Sequence, residues 1–424
     1  MIIDLRHLNL AADTFVKDKQ EVIDIDLEGE LPQTKTELES LIREESYPYS
    51  NGDKIEFLPL PGLNSPQELS SSLKAVEAVA KTGKFTSGPY VNLLEKELES
   101  FYKVSTCVAT SSGTDALMIA LKAVGVGVGD EVIIPPNSFA ATENAVFAVG
   151  AKPVFVNIDF SYNLDVSEIK LALTSKTKAI IPVCLYGSAR NIEEICDFGK
   201  ANNLPVIVDA AQCFGIGSLA DMAEIVCLSF NPFKNLGAFG KSGALLTHHQ
   251  EYAHQARQFS YHGFREGEKN VKSMDWGFNS RMDNLQAAVL LAKLEYFSRN
   301  ALKRCYLAHK YLRGLDLLQN RNKIKLPLET RDNTWHLFPI WLEEGEVSDM
   351  ISYAKSKNVE LDIYYPSLGH EYQTQYAASF SPTGYSLQQS EHIHGKLIHL
   401  PLYNHMSLEQ QDKIISVVRA YFKL

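Results

Sequence analysis

No stretch of this sequence stays apolar for the length that a membrane crossing needs. Its first residues, Met1-Ile2-Ile3-Asp4-Leu5-Arg6, lack the pattern of a secretion signal, so a cytoplasmic location is the expectation. A basic excess is absent too. The net charge of −10 argues against nucleic acid as a main partner. Cysteine is scarce, and none of the six (Cys107, Cys184, Cys196, Cys213, Cys227, Cys305) forms a C-x-x-C pair. Several sit in apolar runs such as Pro182-Val183-Cys184-Leu185, so they read as reduced, buried small hydrophobes. Histidine supplies no metal pattern. His370-Glu371 has no second histidine four positions on; His392-x-His394 near His399 has the residues for a chance zinc site, but a structural or solvated role is the expectation. Internal repeats and low-complexity tracts are also missing.

What remains is the composition of an ordinary enzyme, 45% hydrophobic and 22% charged, long enough at 424 residues to bury a large core. Residues 1–54 differ from the rest. They are rich in acids (Glu28, Glu30, Glu37, Glu39, Glu44, Glu45), with one short helix expected over Leu38–Arg43. This segment reads as an extension packed on the core or on a partner subunit. From Ile55 apolar strands alternate with helical patterns. The strands are expected at 131–135, 153–158, 179–185, 205–208, 223–230 and 244–247, and helices at 140–149, 166–173 and 192–202. This order predicts an α/β fold with a mostly parallel sheet covered by helices on both faces. A long helix is expected over Asn284–Arg299, a strand in His336–Trp341 and a last helix near Leu408–Phe422. The expected division is an extension (1–54), a large domain (55–300) and a smaller α+β domain (301–424). Gly125-Val126-Gly127-Val128-Gly129-Asp130 has the glycines of a dinucleotide loop but precedes a strand, so it reads as a turn.

The chemistry concentrates at two strand ends. Lys234 lies in a turn just after the apolar run Ile225-Val226-Cys227-Leu228, and Asp209 ends the preceding strand, Val206-Ile207-Val208. A lysine sheltered from water can lose its proton and become a nucleophile. Most lysines after strands are merely solvated, but the aspartate changes the reading. The pair suits pyridoxal 5′-phosphate: the lysine forms an imine with the aldehyde, and the acid keeps the ring nitrogen protonated. A phosphate anchor is present in Ser111-Ser112-Gly113-Thr114-Asp115-Ala116-Leu117, which opens a helical run.

The set Phe85-Thr86-Ser87-Gly88-Pro89-Tyr90, Ser112-Gly113-Thr114-Asp115-Ala116-Leu117, Asp209-Ala210-Ala211-Gln212, Ser229-Phe230-Asn231-Pro232-Phe233-Lys234-Asn235-Leu236-Gly237 and Gly277-Phe278-Asn279-Ser280-Arg281-Met282-Asp283 resembles the DegT/DnrJ/EryC1/StrS sugar aminotransferases in content and order. That family is a branch of the fold-type-I pyridoxal phosphate enzymes. The resemblance runs from about Ile55 to the end. It implies that Lys234 binds the cofactor and then moves the substrate proton, and that Asp209 pairs with the ring nitrogen. It further implies that Gln212 contacts the ring hydroxyl and that Phe139 stacks on the ring. Gly113, Thr114 and Ser229 would hold the phosphate. Asn279 would reach the phosphate of a neighbouring subunit, which makes the enzyme a homodimer with shared sites.

From spacing alone Phe139 is equally a core phenylalanine, Ser229 a hydroxyl bonded to local backbone, and Asn279 a turn residue. Tyr186, His262, His336 and Tyr365 are candidate substrate contacts, each with a packed core or interface role as the alternative. Arg265, Lys241, Lys269 and Arg281 are candidates for gripping a substrate anion. The expected reaction moves an amino group from glutamate to a keto-sugar, either a 3-keto hexose 6-phosphate or a nucleotide-linked keto-sugar. A non-catalytic binding or regulatory protein on the same fold, and an amino-acid aminotransferase, are the rivals.

Overall fold

The computed structural model describes residues 31–32, 34–49, 52–266, 268, 270–328, 332–372 and 385–424. Glu28, Glu30 and Lys269 lie outside the described residues.

The central sheet is assembled from two groups of strands. One contains β1 (Thr106–Thr110), β5 (Ile207–Asp209), β6 (Ile225–Ser229) and β7 (Gly243–Thr247) in the order β1-β7-β6-β5. The other contains β2 (Glu131–Ile134), β3 (Lys152–Phe155) and β4 (Thr177–Ile180) in the order β3-β2-β4. Single parallel bridges, Ile180 to Val206 and Val183 to Asp209, join β4 to β5 and make the sheet continuous. Pairings β2–β3, β2–β4 and β5–β6 are parallel, while β7 runs antiparallel to both its neighbours. Nearly every residue of these strands is buried, as expected where helices cover both faces.

Several boundaries differ from the sequence expectation. β1 was not anticipated: its Thr-Cys-Val-Ala-Thr composition is short and capped by hydroxyls, yet all five residues are buried. β4 ends at Ile180 instead of near Leu185, because Pro182 lacks an N–H for the ladder; its carbonyl instead accepts from Asp209 N at 2.9 Å. The Gly125–Asp130 segment is a turn between the helix Gly113–Ala123 and β2, as expected.

The helix beginning at Asn284 runs to Asn320, 37 residues, and does not stop at Arg299. The apolar stripe fades there because Asn300, Lys303 and Arg304 are themselves buried and partnered. This helix passes through residue 300 and packs on Pro66–Thr82, Pro89–Tyr102 and Leu408–Tyr421. Beyond it, β8 (Ile324–Lys325), β9 (Phe338–Leu342) and β10 (Leu397–Leu400) form a small antiparallel sheet in the order β10-β9-β8. The amino-terminal helix is longer than expected, Lys35–Glu45, and Thr34 caps it in a reciprocal box with Glu37. Its Leu38 and Ile42 join the main core. No helix among the described residues is long and apolar enough to cross a membrane.

Candidate active site

β5 and β6 are parallel and adjacent, with Asp209 opposite Cys227, so Asp209 and the turn after β6 emerge at the same edge of the sheet. Asp209 is 5% exposed. Its Oδ2 accepts from Thr142 Oγ1 at 2.9 Å and its Oδ1 from the Ala211 N–H at 3.1 Å. Burial raises its pKa; the Thr142 and Ala211 hydrogen bonds and the charge of Lys234 act against that rise without cancelling it.

Lys234 sits in a tight loop that leaves β6. Ala238 N–H donates to Phe230 O at 2.9 Å and closes the loop, while Lys234 N–H donates to Asn231 O at 2.8 Å. The residue is half-buried. Withdrawal of the ammonium from water lowers its pKa to about 8, against the pull of Asp209. A lysine in this state supplies an appreciable fraction of neutral amine near neutral pH.

The phosphate-anchor candidates come together. Ser112 caps the helix Gly113–Ala123, accepting from the Asp115 N–H at 3.1 Å. The first N–H groups of a helix have no partner within it. Gly113 lies directly against the end of β6: a Cβ there would stand 2.8 Å from Ser229 Cβ and 3.2 Å from Ser229 Oγ. Ser229 Oγ also accepts weakly from Asn231 N, at 3.4 Å, the local backbone bond weighed as its alternative.

Gln212 links two other candidates. Its Oε1 accepts from Tyr186 N–H at 2.7 Å, and its Nε2 donates to Tyr365 Oη at 2.5 Å. Tyr186 is buried and packs edge-on against His399 at 4.6 Å and Tyr162 at 5.2 Å. It also adopts a left-handed backbone, φ 59°, ahead of Gly187. Phe139 is 60% exposed, with its ring 6.2 Å from that of Tyr365. It is therefore no core phenylalanine but an apolar face open toward the tyrosine.

His336 is 3% exposed. Its Nδ1 lies 3.0 Å from Asn235 Oδ1, which makes Nδ1 the donor. Its Nε2 is buried without a hydrogen-bond partner among the described residues. Burial, with Lys234 and Arg304 nearby, holds its pKa well below the usual range, so the ring is neutral. His262 and Asn279 fall on a separate edge. His262 N–H donates to Phe278 O at 2.7 Å, and Tyr261 bridges Asn279. Asn279 is exposed; its neighbour Ser280 accepts from Ser111 N–H at 2.7 Å, which ties this edge to the phosphate-anchor turn. Of the anion-grip candidates, Arg281 lies over the Tyr261 ring at 3.6 Å and Arg265 pairs with Glu268 at 3.1 Å.

Three residues of this constellation escaped the sequence reading. Thr142 lies one turn past Phe139, Asn235 directly follows the lysine, and Thr334 donates from Oγ1 to Gln212 O at 3.1 Å. Only Asn235 carried a signal, its place inside the lysine motif.

The residues fit pyridoxal phosphate. A buried carboxyl with a raised pKa is stabilised as an anion by a ring N–H, and the Gly113–Ser229 approach brings a helix N-terminus close to Lys234's strand. Fold and site together define a fold-type-I pyridoxal-phosphate-dependent enzyme. The model of the DegT/DnrJ/EryC1/StrS aminotransferase family matches residues 66–419. The chain is 42% identical over 364 residues to the 3-oxo-glucose-6-phosphate:glutamate aminotransferase of Bacillus subtilis (strain 168), covering 85% of this chain and 82% of that protein. It is 33% identical over 364 residues to a dTDP-3-amino-3,4,6-trideoxy-alpha-D-glucose transaminase of Micromonospora megalomicea subsp. nigra, covering 84% and 96%. The crystal structure of NtdA from Bacillus subtilis with bound cofactor PMP superposes with a TM-score of 0.86 at 40% identity, covering 91% of this chain and 92% of that one. The chain belongs to the DegT/DnrJ/EryC1/StrS aminotransferase family, and it is an aminotransferase that uses pyridoxal phosphate.

Proposed function

We propose that this enzyme moves an amino group from glutamate to a keto-sugar, with a 3-oxo hexose 6-phosphate as acceptor. The observation that carries this reading is the pair formed by Asp209 and a Lys234 whose pKa is lowered to about 8. The 42% identity to an enzyme of that name supports the substrate choice. Pyridoxal phosphate, when bound, supplies an electron sink for the electrons left by a broken C–H bond.

In this reading Lys234 first holds the cofactor. Its freed amine then takes the α proton of glutamate and later returns a proton to the sugar carbon. Asp209, kept anionic beside a ring N–H, holds the electron sink protonated. Thr142 orients that carboxylate. Gln212 would contact the ring hydroxyl, and Phe139 would stack on the ring. Gly113, Thr114 and Ser229 hold the phosphate. His336 presents an acceptor at Nε2, and Tyr186 and Tyr365 border the sugar, while His262 lies on the separate edge with Asn279. The enzyme works as a cytoplasmic homodimer in which Asn279 of the partner subunit completes the phosphate site; the exposure of Asn279 suits that task.

A nucleotide-linked keto-sugar is the second reading, favoured by the 33% identity to a protein named as a dTDP-sugar transaminase. Assaying 2-oxoglutarate release with glutamate and each acceptor separates the two. Turnover with the hexose phosphate supports the first; turnover with the nucleotide sugar alone refutes it.

A further inference from the structure

The Lys234 loop is clamped from outside at two points. On one side Asn235 Nδ2 donates to Thr334 O at 3.0 Å, and Asn235 Oδ1 meets His336. On the other, Lys293 from the middle of the Asn284–Asn320 helix donates from Nζ to Gly237 O at 2.5 Å. Gly237 is pressed so tightly into the loop that a Cβ there would lie 2.6 Å from Pro232 O and 2.8 Å from Asn231 O. A pull on its carbonyl therefore bears directly on the backbone that carries Lys234.

Lys293 is 8% exposed. Burial lowers its pKa to about 8, and the charge of Glu68 opposes that fall. Glu68 is itself buried, accepting from Ser65 N–H at 2.6 Å, from His405 Nε2 at 3.0 Å and from Asn300 Nδ2. Burial pushes its pKa up, but the hydrogen bond and charge of His405, the Ser65 N–H and the charge of Lys303 outweigh burial and lower it to about 2. A small polar cavity between the loop and this cluster is lined by Lys234, Asn235, Glu68, Lys293, Asn300 and Arg304. Nothing in the substrate reading uses Lys293. A buried lysine that ends on a loop carbonyl and not on a carboxylate is poorly suited to stabilise the fold by charge alone.

We propose that Lys293 is a positioning residue: its hydrogen bond to Gly237 fixes the height and angle of the Lys234 loop. The proposal rests on Lys234 being the cofactor-binding lysine. Its test compares Lys293→Met with the double variant Glu68→Gln/Lys293→Met. The single variant leaves Glu68 with one cation fewer, so its loss of stability is ambiguous. The double variant keeps the charge of the cluster unchanged and still lacks the Gly237 bond.

Amide hydrogen exchange at Lys234 and Ala238 reads loop order directly, in cofactor-free and cofactor-loaded protein. The expected result for the double variant is at least tenfold faster exchange at both amides, with distant core amides unchanged. kcat is expected to fall about tenfold, with the KM for glutamate within twofold of the parent. Parental exchange and kcat in the double variant would overturn the proposal. Uniformly faster exchange across the core would overturn it too, since that marks a merely structural role. Failure of the parent protein to take up pyridoxal phosphate at all would instead refute the functional reading beneath it.

Discussion

The hydroxyl of Thr142 donates to Asp209 at 2.9 Å, so the helix Ala141–Ala148 orients the buried carboxylate of Asp209. Hydrogen bonds to charged groups contribute about 1.5–3 kcal/mol. Thr142→Val keeps the shape and removes the donor. Affinity for pyridoxal phosphate should fall by about tenfold or more, at ~1.4 kcal/mol per factor of ten. Equilibrium titration of the cofactor-free protein measures it; unchanged affinity would show that Thr142 serves packing alone.

Lys234 must be neutral to attack the cofactor aldehyde, and its pKa lies at about 8. The rate of covalent uptake by cofactor-free enzyme should therefore rise with pH through about 8 and then level off. The same shift has a consequence for stability. Because the folded pKa lies below the value of 10.5 for a free lysine, the unfolded chain binds more protons between the two. This group's destabilisation of the cofactor-free fold is full below about 8 and is relieved as pH rises toward 10.5. Stopped-flow absorbance across that range reads the uptake, and a rate independent of pH would contradict the assignment.

Gly113 is fixed by Ser229. Gly113→Ala places a methyl 2.8 Å from Ser229 Cβ and should destabilise the protein by about 1–3 kcal/mol while weakening cofactor binding. Adding Ser229→Gly removes the opposing atoms. Much of the stability should return, with Leu228 O still 3.3 Å from the methyl, but cofactor affinity should not if Ser229 holds the phosphate as proposed. Denaturant unfolding and cofactor titration together separate the two effects.

The helix Lys35–Glu45, ahead of the family region, has a defined attachment. Lys303 Nζ and Glu45 Oε2 are 2.6 Å apart with side chains 1% and 6% exposed, and Arg299 reaches Glu45 Oε1 at 3.1 Å. Glu45→Gln removes the carboxylate charge beside buried Lys303 and leaves it an amide oxygen and His405 Nδ1 at 3.3 Å, a change that should cost up to about 3–5 kcal/mol. A fall in the urea midpoint checks it; no change would mean that the amino-terminal helix contributes little to the core.

The sheet was legible because apolar strands announce themselves; Lys234 and Asp209 are the proposed reacting pair because a lysine and an aspartate at neighbouring strand ends have one obvious chemical use. Asn235 and Thr334 were harder. Their contacts join segments about a hundred residues apart, and no periodicity encodes them. Phe139 could not be told from a core residue by spacing; only its exposure separates the two. The long helix was cut short at Arg299 because buried Lys303 and Arg304 look like surface until Glu45 and the carbonyls of Trp335 and His336 are seen around them.

The most direct test of the central claim is the visible spectrum of the purified protein before and after glutamate, recorded beside Lys234→Ala. The account predicts an absorbance band of lysine-bound cofactor in the parent that glutamate bleaches, and neither the band nor turnover in the variant. A parent protein that stays colourless with added pyridoxal phosphate, or a variant that retains turnover, would contradict it.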